Sequence, residues 1–153
     1  MYYSGQEIIE IAVRIEENGF AFYTNAAKMM KEPGDVKNLF PDLAEMEVHH
    51  TNVFQELASH FEAEKFEYNE DESADYITHL ADSHIFGKTD AGADLAKTIK
   101  TPKEALEIAY KFENDSVVFY EELLKRTSAD AKKLIFQIIE EEKEHAAEIK
   151  RFM

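Results

Sequence analysis

The sequence predicts an all-α fold: a four-helix bundle of two antiparallel hairpins joined by a long crossover that carries a short helix. Three observations carry that prediction. Only three Pro and five Gly occur in 153 residues, too few turn formers for a β architecture. Four long segments repeat apolar residues at helical spacing, each behind a recognisable capping residue. The chain also matches itself when shifted by 97 residues, so two similar hairpins are expected to pack as a pseudo-symmetric pair.

The first helix, over about 4–31, opens on Ser4-Gly5-Gln6-Glu7, which has the S-x-x-E form of a capping box. Ile8, Ile9, Ala12, Ile15, Phe20, Tyr23, Ala27 and Met30 then recur on one face, up to Pro33-Gly34. Asp35 caps a second helix over about 35–64, with the stripe Leu39, Leu43, Met46, Val53, Phe54, Leu57 and Phe61. Pro41 removes one backbone bond and clashes one turn back, so the regular helix is expected to begin nearer Asp42. The crossover, about 65–101, starts with an acidic run at 67–72, carries one short helical pattern from Ser73 to Ile85, and continues through Gly87 and Gly92 in mixed polar residues. Thr101-Pro102-Lys103-Glu104 supplies a cap, a first-turn proline and a third-position glutamate for the third long helix, about 102–126, whose face holds Leu106, Ala109, Val117, Tyr120 and Leu124. Ser128 caps the last, about 128–152, with Leu134, Ile135, Ile138, Ile139, Ala146, Ile149 and Phe152 inward. The whole of 1–153 reads as one domain.

The repeat lays Glu10-Ile11-Ala12-Val13-Arg14-Ile15-Glu16 over Glu107-Ile108-Ala109-Tyr110-Lys111-Phe112-Glu113 and keeps register to Phe22-Tyr23 over Phe119-Tyr120. Composition then excludes whole classes of function. With 32 acidic against 17 basic residues, a formal charge of -15 repels nucleic acid and anionic lipid. No cysteine is present, which removes disulfides, thiolate catalysis and Cys-ligated zinc or iron. No basic cluster precedes an apolar run at the N-terminus and no window approaches eighteen uncharged apolar residues, so a soluble cytoplasmic protein is expected.

Two E-x-x-H sequences place an acid and an imidazole side by side on a helix: Glu47 with His50 and Glu142 with His145. So acidic a chain produces about one such pair by composition alone, so the count says little. The facing says more. Both pairs fall on inward stripes, and Glu16 and Glu113 do so on the other two helices. Depth agrees as well: Glu16 lies about 15 residues before its helix ends and Glu47 to His50 about 12 to 15 into the next, while Glu113 and the pair Glu142 to His145 match at about 13 and 14 to 17. Buried unpaired carboxylates cost several kcal/mol each, so four of them at one level imply a shared cation. Four carboxylates carry -4 and two divalent ions +4, with two neutral imidazoles completing a dinuclear carboxylate site, iron or manganese by donor type and zinc as a further possibility.

At these residues the chain resembles the rubrerythrin-like branch of the ferritin-like superfamily. Glu16-Glu17-Asn18-Gly19-Phe20-Ala21-Phe22-Tyr23 is similar to the family's E-x-x-G-x-x-F-Y first helix, and Glu113-Asn114-Asp115-Ser116-Val117-Val118-Phe119-Tyr120 to its E-x-D-S-x-x-F-Y third helix. The resemblance implies a ferritin-like bundle holding two iron ions, with Glu16 and Glu113 as ligands, Glu47 and Glu142 as bridging or terminal carboxylates, and His50 and His145 as terminal imidazoles. It implies a peroxidase or ferroxidase type of oxidoreductase acting on hydrogen peroxide or dioxygen, with an external electron donor, and an association into homodimers. The chain departs from the family in two ways. It has no cysteines for the rubredoxin domain of full-length rubrerythrins, and it has Ser116 where they carry a further glutamate. A six-ligand site, symmetric across the repeat, is therefore expected.

Tyr23 and Tyr120 lie about two turns beyond Glu16 and Glu113 and are candidates to hydrogen-bond ligands or oxidant, or else are core tyrosines satisfied elsewhere. Gly19 costs about 1 kcal/mol against alanine in mid-helix, which predicts a close approach beside the site. Glu17, Glu45, Glu140, Glu141 and Glu144 read as a solvated face, and His49 points away from His50. His60, His79 and His84 receive no place. Two rival readings stand beside the enzyme: a protein that binds or buffers iron without turnover, and a helical interaction module whose inward acids pair with Arg14, Lys111 or water.

Overall fold

The structure is a computed structural model, and the residues described are 3–30, 35–59, 72–127 and 129–153. Six helices follow in order: α1 (Gly5–Met29), α2 (Asp35–Ser59), α3 (Glu72–Ser83), α4 (Ala91–Ala96), α5 (Pro102–Leu124) and α6 (Ala129–Arg151). α1 packs most extensively on α2, and α5 on α6, so two helical hairpins make up the bundle. α3 lies against α5 and α4 against α1. No helix among the described residues is long and apolar enough to cross a membrane.

The starts of α1 and α5 follow from their caps. Ser4 Oγ accepts from the Glu7 N–H at 3.2 Å while the Ser4 N–H donates to Glu7 Oε2 at 2.6 Å, a closed capping box. Thr101 Oγ1 accepts from the Glu104 N–H at 3.2 Å, with Pro102 in the first turn. The Pro33-Gly34 turn, the residues His60, Phe61 and Lys65, the acidic run up to Asp71 and the Ser128 cap lie outside the described residues.

Three expectations are corrected. α2 runs from Asp35 straight through Pro41. Proline in a helix interior costs about 3 kcal/mol, yet Pro41 faces solvent while Leu39, Phe40 and Leu43 beside it are buried. Each of those side chains contributes about 1.5–3 kcal/mol, so the stripe outweighs the break. The crossover holds two short helices where one was expected, because α4 is only six residues long and has no stripe to reveal it. Phe20 and Leu134, assigned to inward faces, are each 42% exposed: Ile15, Gly19 and Phe22 on α1 and Ile135 and Ile138 on α6 already fill the inward arcs.

Asn18 ties the crossover to α1. Its Nδ2 donates to the carbonyls of Phe86 and Lys88, both at 2.7 Å, and its Oδ1 accepts from the Gly92 N–H at 3.2 Å. The approach is so close that a Cβ on Gly92 would lie 1.9 Å from the Asn18 carbonyl oxygen. Replacing Gly92 by alanine therefore displaces α4 from α1, with an expected loss of about 2 kcal/mol in chemical denaturation; an unchanged midpoint would show the contact to be soft.

His84, just after α3, is buried and its pKa falls from the ordinary 6.5 to about 4: burial lowers it and Lys111 does so slightly, against the attraction of Asp115 and Glu142. A depressed histidine pKa means that the unfolded chain takes up the proton first. This contribution to stability is complete above pH 6.5 and is lost as pH falls towards 4. His84→Gln should flatten the stability profile in that window by up to about 3 kcal/mol relative to the parent; parallel profiles would contradict a neutral buried imidazole.

Candidate metal centre

Each long helix sends its inward acid to one level of the bundle. Glu16 on α1, Glu47 and His50 on α2, Glu113 on α5, and Glu142 on α6 are fully buried, and His145 is nearly so. Their donor atoms form two overlapping groups. Glu16, Glu47, His50 and Glu142 make one, and Glu47, Glu113, Glu142 and His145 the other, each set lying within 4.8 Å of one another. Glu47 and Glu142 belong to both. Two neighbouring ions would thus share two carboxylates, each keeping one further glutamate and one histidine.

The geometry within the cluster is close. His50 Nδ1 lies 3.1 Å from Glu142 Oε1 and 3.4 Å from Glu16 Oε2. His145 Nδ1 lies 3.2 Å from Glu142 Oε2 and 3.8 Å from Glu113 Oε2. The two imidazoles stack with centroids 5.9 Å apart. The tyrosines cross between hairpins: Tyr23 donates to Glu113 Oε1 at 2.5 Å, and Tyr120 donates to Glu16 Oε1. Both pairs are repeat-related, since 113 − 16 and 120 − 23 each equal 97. Seven residues forward on α1 therefore meet seven backward on α5, which makes these two helices antiparallel.

Electrostatics without a cation are strained. Burial first, and then Glu16, push the Glu47 carboxyl well above its ordinary range. Burial and Glu142 do the same to Glu113. Glu142 is the counterpart: burial would raise it, but protonated His50 and the bonds around it hold it well below the ordinary range. Burial opposes charge on both histidines, yet the carboxylates prevail, raising His50 well above its usual value and His145 to about 10. Burial and the facing glutamates raise both phenols, so Tyr23 and Tyr120 stay protonated donors.

A dimetal pair fits these residues. Glu16 Oε2, Glu113 Oε2 and both oxygens of Glu47 are buried with no hydrogen-bond partner among the described residues, and four orphaned carboxyl oxygens in a dry interior call for cations. The cations named by the rival reading are engaged elsewhere, Arg14 on the Gly87 carbonyl at 3.2 Å and Lys111 on Asp115 at 3.0 Å. An all-oxygen and nitrogen donor set without thiolate suits iron or manganese.

Three residues escape sequence reasoning or are corrected. Glu141, expected on the solvated face, accepts from His50 Nε2 at 2.7 Å, which turns Nδ1 towards the cluster. Burial is the largest single influence and raises the Glu141 carboxyl, but the hydrogen bonds from His50 and Gln137 and the charge of His50 together outweigh it and lower the carboxyl below its ordinary value. Nothing in the run Glu140-Glu141-Glu142 distinguishes it from its neighbours, because the partner sits on another helix. His84 and Asn18 likewise depend on the fold of the crossover. Gly19 behaves as its spacing predicts: an added Cβ would lie 2.6 Å from Phe112 Cζ and 3.1 Å from Glu47 Oε2. His49 and His79 are exposed.

Glu47→Gln separates the two demands on this cluster. In metal-free protein it removes a buried acid and should stabilise by about 1–4 kcal/mol. Because the native carboxyl is raised, the gain should grow as pH climbs above the ordinary carboxylate range. The same variant should lose most of the rise in melting temperature that ferrous or manganous ions give the parent. A variant less stable than the parent when metal-free would refute the strain.

No curated protein sequence matches the chain. The crystal structure of a Thermotoga maritima protein, described as a candidate ferritin-like diiron-carboxylate protein, superposes with a TM-score of 0.71 at 24% identity, covering 98% of this chain and 94% of that one. The likeness extends to the whole bundle and establishes the fold. The rubrerythrin family profile matches residues 7–153, a span that contains all six clustered side chains and both crossing tyrosines, and the chain belongs to the rubrerythrin family.

Proposed function

We propose that this chain is a non-haem di-iron carboxylate protein that reduces hydrogen peroxide or dioxygen, or oxidises ferrous iron with them, using electrons from an external donor. One observation carries the reading: two overlapping four-residue donor sets share Glu47 and Glu142 and leave buried carboxylate oxygens unpartnered. A pair of redox-active ions in such a set supplies Lewis acidity and electrons for cleaving an O–O bond. Hydrogen peroxide, two electrons and two protons give two waters, so a donor must refill the centre after each cycle. The absence of cysteine means that a rubredoxin-type iron is not held by these 153 residues.

The protein groups have separable tasks. Tyr23 and Tyr120 orient Glu113 and Glu16 by their hydroxyls. Glu141 fixes the His50 tautomer. Phe22, Phe54, Phe112 and Phe119, all fully buried, keep bulk water from the cluster. The His145 side chain is 10% exposed where its five companions are sealed, which makes its edge the entrance for a small oxidant.

Anaerobic loading with ferrous iron should give two ions per chain by elemental analysis. Glu16→Ala, His50→Ala and His145→Ala should each hold fewer. Given a chemical reductant, the loaded parent should consume peroxide over many cycles. Consumption that ends after one round would identify an iron-buffering protein instead, and no uptake at all would dismiss the dimetal reading.

A further inference from the structure

The pseudo-symmetry of the cluster breaks one turn beyond its terminal glutamates. On α1 the position three residues after Glu16 is Gly19, and the space above it is filled by the Phe112 ring. On α5 the equivalent position, three after Glu113, is Ser116, fully buried on the stripe that joins Glu113 to Tyr120. Its neighbour is the imidazole of His84, set edge-on to Phe112 and Phe119 at centroid distances of 5.9 and 6.5 Å.

The hydrogen bonds of this pair have only one consistent direction. The Phe86 backbone N–H can only donate, and it lies 3.0 Å from His84 Nδ1. Nδ1 is therefore the bare nitrogen, and Nε2 carries the proton that it directs at Ser116 Oγ, 3.0 Å away. Ser116 Oγ is thus an acceptor to His84, and its own hydrogen has no acceptor among the described residues. Thr51, Asn25 and Asn114 spend their side-chain donors on carbonyls four residues back; Ser116 makes no such bond.

Resting on the dimetal reading above, we infer that the Ser116 hydroxyl, locked by neutral His84, donates a hydrogen bond to a small anionic ligand held at the α5 side of the dimetal site. The ligand class is a compact anion with a basic terminal atom, such as hydroperoxide or azide. The equivalent α1 position, Gly19, brings no hydroxyl and faces the Phe112 ring and Glu47 Oε2, so the ligand is received on the α5 side. Ser116 and His84 are positioning residues in this scheme and hold no metal.

The probe is azide, titrated into the oxidised, iron-loaded protein and followed by its charge-transfer absorbance. Ser116→Ala, with iron content and melting temperature equal to the parent's, should weaken azide binding about tenfold or more, the value of one hydrogen bond to a charged partner. His84→Phe, which frees the hydroxyl to turn, should weaken it less. Should that variant fail to fold, nitrogen-15 NMR of the metal-free parent reads the same lock, with Nε2 of His84 protonated and Nδ1 bare. Parent affinity in Ser116→Ala, or the opposite tautomer, overturns the inference while leaving the dimetal reading intact. A parent that takes up no iron removes both, and elemental analysis reports that before any azide is added.

Discussion

Four carboxylates and two imidazoles meet in the interior of a bundle lined mainly by aliphatic and aromatic side chains, and the rest of the structure answers to that concentration of charge. Alone, the carboxylates can persist only by taking up protons from solvent or from each other, which is why Glu47 and Glu113 are driven upward while Glu142 stays ionised against protonated His50. Two divalent ions would replace that patchwork with one compensation for all six groups. Folding to a metal-free state therefore carries an electrostatic penalty that bound divalent ions would relieve, which would couple metal affinity and stability through the same atoms.

The supporting architecture is stiff because three of the six clustered side chains are held by a hydrogen bond from a second element. Tyr23 and Tyr120 fasten each terminal glutamate from the opposite hairpin, and Glu141 fastens His50 from α6. The hairpins cannot slide past each other without breaking both tyrosine bonds at once. Gly19 admits the Phe112 ring close to Glu47, and Phe112 in turn packs against Phe86 with centroids 4.8 Å apart. The Phe86 carbonyl is one of the two held by Asn18. A contact on the outer crossover is thereby joined to the cluster through two rings and one carboxylate.

What the chain discloses without a structure divides along a physical line. Helix starts at Ser4 and Thr101, the inward facing of Glu16, Glu47, Glu113 and Glu142, and their common depth are all functions of helical period and rise, which a linear sequence carries. The repeat adds the expectation of symmetry, and the tyrosines obey it. Glu141, His84 and Asn18 are different: each acts through a partner whose approach depends on how the crossover and hairpins dock, between 68 and 91 residues away in the chain or, for His84, 32. Pro41 failed as a boundary because a local cost was set against a burial term that only packing reveals. Phe20 and Leu134 failed because an apolar stripe is wider in sequence than the arc the bundle can cover.

The departure of Ser116 from the family's pattern then acquires a physical sense. A glutamate three residues after Glu113 would add a fifth buried carboxylate to a cluster that already needs two divalent cations to balance four. Serine brings no charge, and its hydroxyl meets His84, whose burial keeps it neutral. The exchange leaves the ligand charge at -4 and substitutes a hydrogen-bond donor for an anion at the same point of the wall. The six nearest donors fall into two overlapping sets of the same composition, while the layer around them is asymmetric. Two metal ions held here would differ in the Glu141 bond made to His50 alone and in that outer layer, where a ring on one side faces a serine and histidine on the other.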